Sequence, residues 1–96
     1  MPIHNSEIAR MLAEVADLLD VQGENRFRIR AYRNAARTIG ESGREMADML
    51  SEGEDPSSLP GIGKDLAGKI REIVETGSLP QLEELRRTVR GDIVEM

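Results

Sequence analysis

The segment Leu59-Pro60-Gly61-Ile62-Gly63-Lys64-Asp65-Leu66-Ala67-Gly68-Lys69-Ile70 constrains the fold most, because it joins a tight glycine turn to the first turn of a helix. Pro60 stops any preceding helix, and Gly61 and Gly63 permit backbone conformations that a Cβ resists. A sharp turn is expected there. From Lys64 onward the apolar positions Leu66, Ala67, Ile70, Ile73 and Val74 fall three and four apart, which is helical spacing. Ile62 is expected to face inward and pin the turn, and the small Ala67 to let a second helix pack close. The first N–H groups of such a helix have no intrahelical partner, and its dipole adds partial positive charge. Gly61, Gly63 and Lys64 therefore form a candidate phosphate seat.

This pattern of proline, alternate glycines, spaced alanine and apolar frame resembles the helix-hairpin-helix motif, which grips nucleic-acid backbones without reading bases. The bland reading of the same residues is a glycine turn that merely joins two helices.

The chain of 96 residues is long enough for one small domain with a thin core. It has no cysteine and a single histidine, His4, so neither a disulfide frame nor a zinc site is expected. No apolar run reaches the roughly 20 residues of a membrane span, and the start lacks the pattern of a signal peptide. A reducing, cytoplasmic setting is compatible with these features. One Phe and one Tyr are too few for a platform of stacked bases, so any DNA would be held by its phosphates.

The formal net charge of −5 conceals segregation. Arg26, Arg28, Arg30, Arg33 and Arg37 occur with no acid among them, whereas residues 41–55 hold Glu41, Glu45, Asp48, Glu52, Glu54 and Asp55 against Arg44 alone. A local basic face is what phosphate contact requires.

The rest of the chain reads as helices. Asn5 or Ser6 caps a first one with Ile8, Met11, Leu12, Val15, Leu18 and Leu19 inward, and Gly23 stops it. Asn25 caps a second, with Phe27, Ala31, Ala35 and Ile39 in one stripe, Tyr32 and Ala36 beside it, and Arg26, Arg30, Arg33 and Arg37 on another side. Such a run of like charges without Glu at i±4 asks for a reason, either a phosphate backbone or plain solvation. A third helix is expected over about residues 43–52, with Met46, Met49 and Leu50 apolar. Asp55-Pro56 opens a short arm ending at Leu59. Gly77 closes the long arm, and Ser78 to Gln81 reads as a capping box for a last helix with Leu82, Leu85 and Val89 inward. The hairpin thus covers about residues 55–77 of a single domain, and residues 91–96 are expected to be a tail or the start of a linker.

The segment from Asn25 to Ile39, with its Phe27-Arg28, Ala31-Tyr32-Arg33 and Ala35-Ala36 pairs, combined with the glycine hairpin and Thr76-Gly77-Ser78-Leu79, resembles the amino-terminal domain of family X DNA polymerases. The likeness spans about residues 5–88. It agrees with the all-α fold of four main helices plus a short hairpin arm read from the residues, and implies binding of DNA at gaps or 5′-phosphate ends in base excision repair, as the front piece of a longer polymerase, a monomer in the bacterial cytoplasm associated with the nucleoid. It also implies a lyase that removes a 5′-deoxyribose phosphate through a Schiff base. That chemistry needs an amine, which arginine does not provide, and Lys64 and Lys69 are the only lysines. Lys69 matches the family's Schiff-base position, Tyr32 a tyrosine of the lyase pocket, and Arg28 a basic phosphate contact. Phe27, Asp65 and Ser57 depart from the family, standing where it has a polar pocket residue and two lysines. By the same resemblance the backbone carbonyls of Ser57, Leu59 and Ile62 hold a monovalent cation, Na⁺ or K⁺, and no other cofactor is required. An acidic helical protein-interaction module is the remaining alternative.

Overall fold

The computed structural model describes residues 3–94, with side chains through Arg90. Helix α1 spans Asn5–Val21, α2 Arg26–Glu41, α3 Met46–Ser51, α4 Lys64–Thr76 and α5 Pro80–Val94, with a 3₁₀ turn at Pro56–Ser58 between α3 and α4. No strand occurs among the described residues. The long helices α1, α2, α4 and α5 are the expected main four, and the 3₁₀ turn is the short arm of the hairpin.

The buried positions of α1 are Ile8, Met11, Leu12, Val15, Ala16 and Leu19, as its periodicity predicts. Gly23, at φ 74°, lets the chain leave this helix with Glu24 donating back to the Leu19 carbonyl at 3.0 Å. Its start departs from expectation. Asn5 is not an exposed cap but is buried, receiving the Met46 N–H at 2.8 Å and donating to the Arg44 carbonyl at 2.7 Å. Glu45 in return accepts the Asn5 N–H at 3.2 Å. Each of two helices distant in sequence thus caps the other, so α3 starts only at Met46 rather than near Gly43.

Asn25 caps α2 as expected, accepting from the Phe27 and Arg28 amides. The buried face, however, consists of Ile29, Tyr32, Ala35, Ala36 and Ile39, while Phe27 is 79% exposed. At 100° per residue Phe27 lies about 140° around the helix from Tyr32, so the helix that buries Tyr32 turns Phe27 out. The returning α2 runs along α1 with Gly40 opposite Ala9.

Leu66, Ala67, Ile70 and Ile73 of α4 join Met46 and Met49 in the core. Leu79, Leu82 and Leu85 of α5 complete it, and Val89 is half-buried. The capping box expected at Ser78 does not form. Gln81 instead accepts the Tyr32 hydroxyl at 3.1 Å, and Leu82 and Glu83 donate to the Leu79 carbonyl. Arg86 of α5 clamps Glu14 of α1 with two bonds of 2.7 Å. Helix α5 continues through Gly91 to Val94, beyond the point where its periodicity fades; the last two residues of the expected tail lie outside the described residues.

Candidate nucleic-acid interface

Asp55 opens the hairpin by accepting the Ser57 N–H at 2.9 Å, which sets the 3₁₀ turn. Hydrogen bonding from the Ser57 amide and hydroxyl outweighs a small desolvation and, with lesser help from the charges of Arg71 and Lys64, holds the Asp55 carboxyl below the usual aspartate value. Ile62, 4% exposed, donates to the Leu59 carbonyl at 3.2 Å and pins the bend to the core as expected. Gly61, Gly63 and Lys64 are exposed around it. Only Gly61 has the left-handed backbone that favours glycine, φ 77°. Gly63 sits at φ −85°, ψ −178°, a conformation open to any residue, so its missing side chain serves another end.

That end is visible in the hydrogen bonds. Helices α1, α2 and α3 and the 3₁₀ turn each have a first-turn amide satisfied by a side chain, from Glu45, Asn25, Asn5 and Asp55 respectively. Helix α4 begins on Gly63 and has no side-chain cap. The amides of Gly61, Gly63, Lys64, Asp65 and Leu66 donate to no acceptor among the described residues. Gly61, Gly63, Lys64 and Asp65 are exposed, whereas Leu66 is buried; a row of uncommitted amides at the positive end of a helix dipole is matched to a small anion.

Lys64 stands beside this row. Arg71 lies seven residues further, about 20° around and about 10 Å along the helix, so the two cations share a face. The reading of the glycine motif passed over Arg71, although its spacing from Lys64 carried the signal. Lys69 points elsewhere. Its side chain is 21% exposed and its ammonium lies 3.6 Å from the Asp65 carboxylate. Tyr32, 1% exposed, has its hydroxyl committed to Gln81. Arg28 is exposed at the start of α2, about 40° from the Tyr32 direction and one turn before it.

The remaining arginines form a different surface. Arg26, Arg30, Arg33 and Arg37 fall within an arc of about 60° on α2, nearly opposite Arg28. They line a cleft of about 690 Å³ shared with Asp20, Glu24 and Ile29, and no hairpin residue contributes to it. The expected stripe of uncompensated arginines is corrected at Arg33, which is paired with Asp17 at 3.2 Å and Asp20 at 3.5 Å across the α1–α2 interface. Arg37 donates to Asn34 at 3.2 Å. The compensating charge comes from the neighbouring helix, where i±4 spacing does not look.

Of the three carbonyls implied as cation ligands, that of Leu59 accepts the Ile62 amide, while those of Ser57 and Ile62 accept no hydrogen bond among the described residues. Uncommitted backbone oxygens are the hard donors that alkali and alkaline-earth ions take. No group of three or more His, Cys, Asp or Glu side chains is placed to hold a metal among the described residues. No helix among them is long and apolar enough to cross a membrane.

Residues 3–79 match the model of the helix-hairpin-helix domain family. The sequence is also 32% identical over 92 residues to the DNA polymerase/3′-5′ exonuclease PolX of Bacillus subtilis (strain 168), a similarity that takes in 96% of this chain and 15% of that protein.

Proposed function

Because this chain belongs to the helix-hairpin-helix domain family, we propose that it grips the sugar-phosphate backbone of DNA at gaps and 5′-phosphate ends, as one domain of a longer repair polymerase. The observation that carries this reading is the bare start of α4, whose first amides have no side-chain cap and no acceptor among the described residues. A phosphate oxygen satisfies those donors, and Lys64 and Arg71 add charge without reading bases. Arg28 supplies a further contact by resemblance. A monovalent cation on the Ser57, Leu59 and Ile62 carbonyls would bring positive charge to the same bend.

Titration of gapped, 5′-phosphorylated DNA against salt tests the reading. Log affinity is expected to fall linearly with log salt, at about −0.9 per phosphate engaged. Lys64→Glu should weaken binding and reduce the slope by about one phosphate. A slope near zero with unchanged affinity in Lys64→Glu would refute DNA binding through this hairpin. Exchange of K⁺ for tetramethylammonium at constant ionic strength tests the cation: affinity should drop, and an unchanged affinity rejects it.

One observation favours a second, enzymatic reading. Lys69 is an amine sheltered from bulk water in the segment that resembles the lyase, and its pairing with Asp65 must open before it attacks an aldehyde. Borohydride trapping on pre-incised abasic DNA should give an adduct that Lys69→Ala abolishes. Absence of any adduct with the unaltered chain rejects the lyase.

A further inference from the structure

The arginine cleft between the end of α1 and the face of α2 is not used by the hairpin, and its make-up differs from that of a phosphate track. Arg26 and Arg30 have no ion-pair partner among the described residues, and both are exposed. Between the helices the buried Ile29 gives the cleft an apolar floor. At its margins stand two large apolar side chains that are conspicuously exposed among the described residues, Phe27 at 79% and Val21 at 70%. Phe27 lies seven residues before Asn34, hence about 20° from a residue that lines the cleft. Val21 ends α1, two residues before Gly23, which also lines it.

Glu24 decides between the classes of partner, since Asp20 is already paired with Arg33 and Glu24 has no ion-pair partner among the described residues. A nucleic-acid backbone would set its phosphates against these carboxylates and offer Glu24 no cation in return. A polypeptide carries acids for the guanidiniums, amides for the carboxylates, and apolar side chains for Ile29, Phe27 and Val21. Arginine and exposed aromatic residues together are also the composition of a protein-binding hot spot. We infer that this cleft docks an acidic, amphipathic segment of another protein, separately from the DNA seat.

The test uses the 96-residue chain, isotope-labelled for NMR. The probe is a fluorescein-labelled helical peptide of about 20 residues with a Leu stripe flanked by Glu. Controls are the same peptide with Gln for Glu and a single-stranded oligonucleotide of equal net charge. The acidic peptide should shift amides between Asp20 and Arg37. Its affinity should fall about tenfold in Arg30→Glu and several-fold in Phe27→Ala, and stay within twofold in Lys64→Glu. The Gln peptide should bind at least tenfold more weakly. Both cleft substitutions are at exposed positions, and an unchanged circular-dichroism melt confirms that the fold is kept. The inference is overturned if the peptide leaves the cleft amides unmoved, if Lys64→Glu weakens it as much as Arg30→Glu, or if the oligonucleotide displaces it from the cleft. With gapped, 5′-phosphorylated DNA in a separate titration, shifts that include residues 61–66 and spare the cleft would support both readings, whereas peptide binding without any such shifts would retain the cleft and remove the DNA seat.

Discussion

A methyl group added at Gly61 or at Gly63 would meet nothing within 4 Å in either case, yet the two backbones differ. At Gly61 the left-handed φ of 77° makes any L side chain strained, by about 1–2 kcal/mol. At Gly63 the extended backbone accepts alanine, and the cost falls on whatever approaches the amides instead. Gly61→Ala should therefore lower the melting temperature by several degrees. Gly63→Ala should leave the melt within about 2 °C and weaken DNA binding. Thermal melts beside the salt titration check both; a stable Gly61→Ala, or a Gly63→Ala that binds normally, would contradict this division of roles. The sequence displayed both glycines as one motif. Their separation depends on φ, which is set by how Ile62 is anchored.

At the level of the element, the caps divide the helices into closed and open starts. Asn25 closes α2 with two amide bonds, and Asn25→Ala is expected to cost about 1 kcal/mol, a fall of roughly 4–8 °C. Gly63→Asp should act in the opposite direction on stability, since a carboxylate caps α4 and complements its dipole. The same change should abolish the phosphate contact, because the carboxylate occupies the amides. A variant both more stable and unable to bind DNA is the expected outcome, and retained affinity in a stabilised Gly63→Asp would argue against the seat. The caps of α2 and of the 3₁₀ turn were legible because Asn25 and Asp55 are local. The exchange between Asn5 and Glu45 was not, because those residues are 40 apart and meet only when α1 docks beside α3.

At the scale of the whole molecule, the pair Glu14–Arg86 ties the last helix to the first. The bond from Arg86 outweighs partial desolvation and holds the Glu14 carboxyl below its ordinary value of 4.5. A depressed folded-state value means that the stabilisation is present above about pH 4.5 and is lost as pH falls through the folded-state value. Both side chains are partly exposed, so the effect is modest and screened by salt. Glu14→Gln should thus be less stable than the unaltered chain near neutrality, with the gap narrowing on acidification below pH 4.5. Urea unfolding across that range measures it, and a gap independent of pH would show that the pair contributes no linked stability.

The sequence by itself determined the all-α class, the turn at Gly61, the inward Ile62 and the apolar faces of α1 and α4. Each of these rests on backbone sterics or on a helical repeat within a few residues. Tertiary structure alone decided that Phe27 is exposed, that Arg33 is spent on Asp17 and Asp20, and that the other arginines of its stripe open onto a cleft apart from the hairpin. Those outcomes depend on the rotation of α2 about its axis, which is set by Tyr32 packing inward against elements far along the chain.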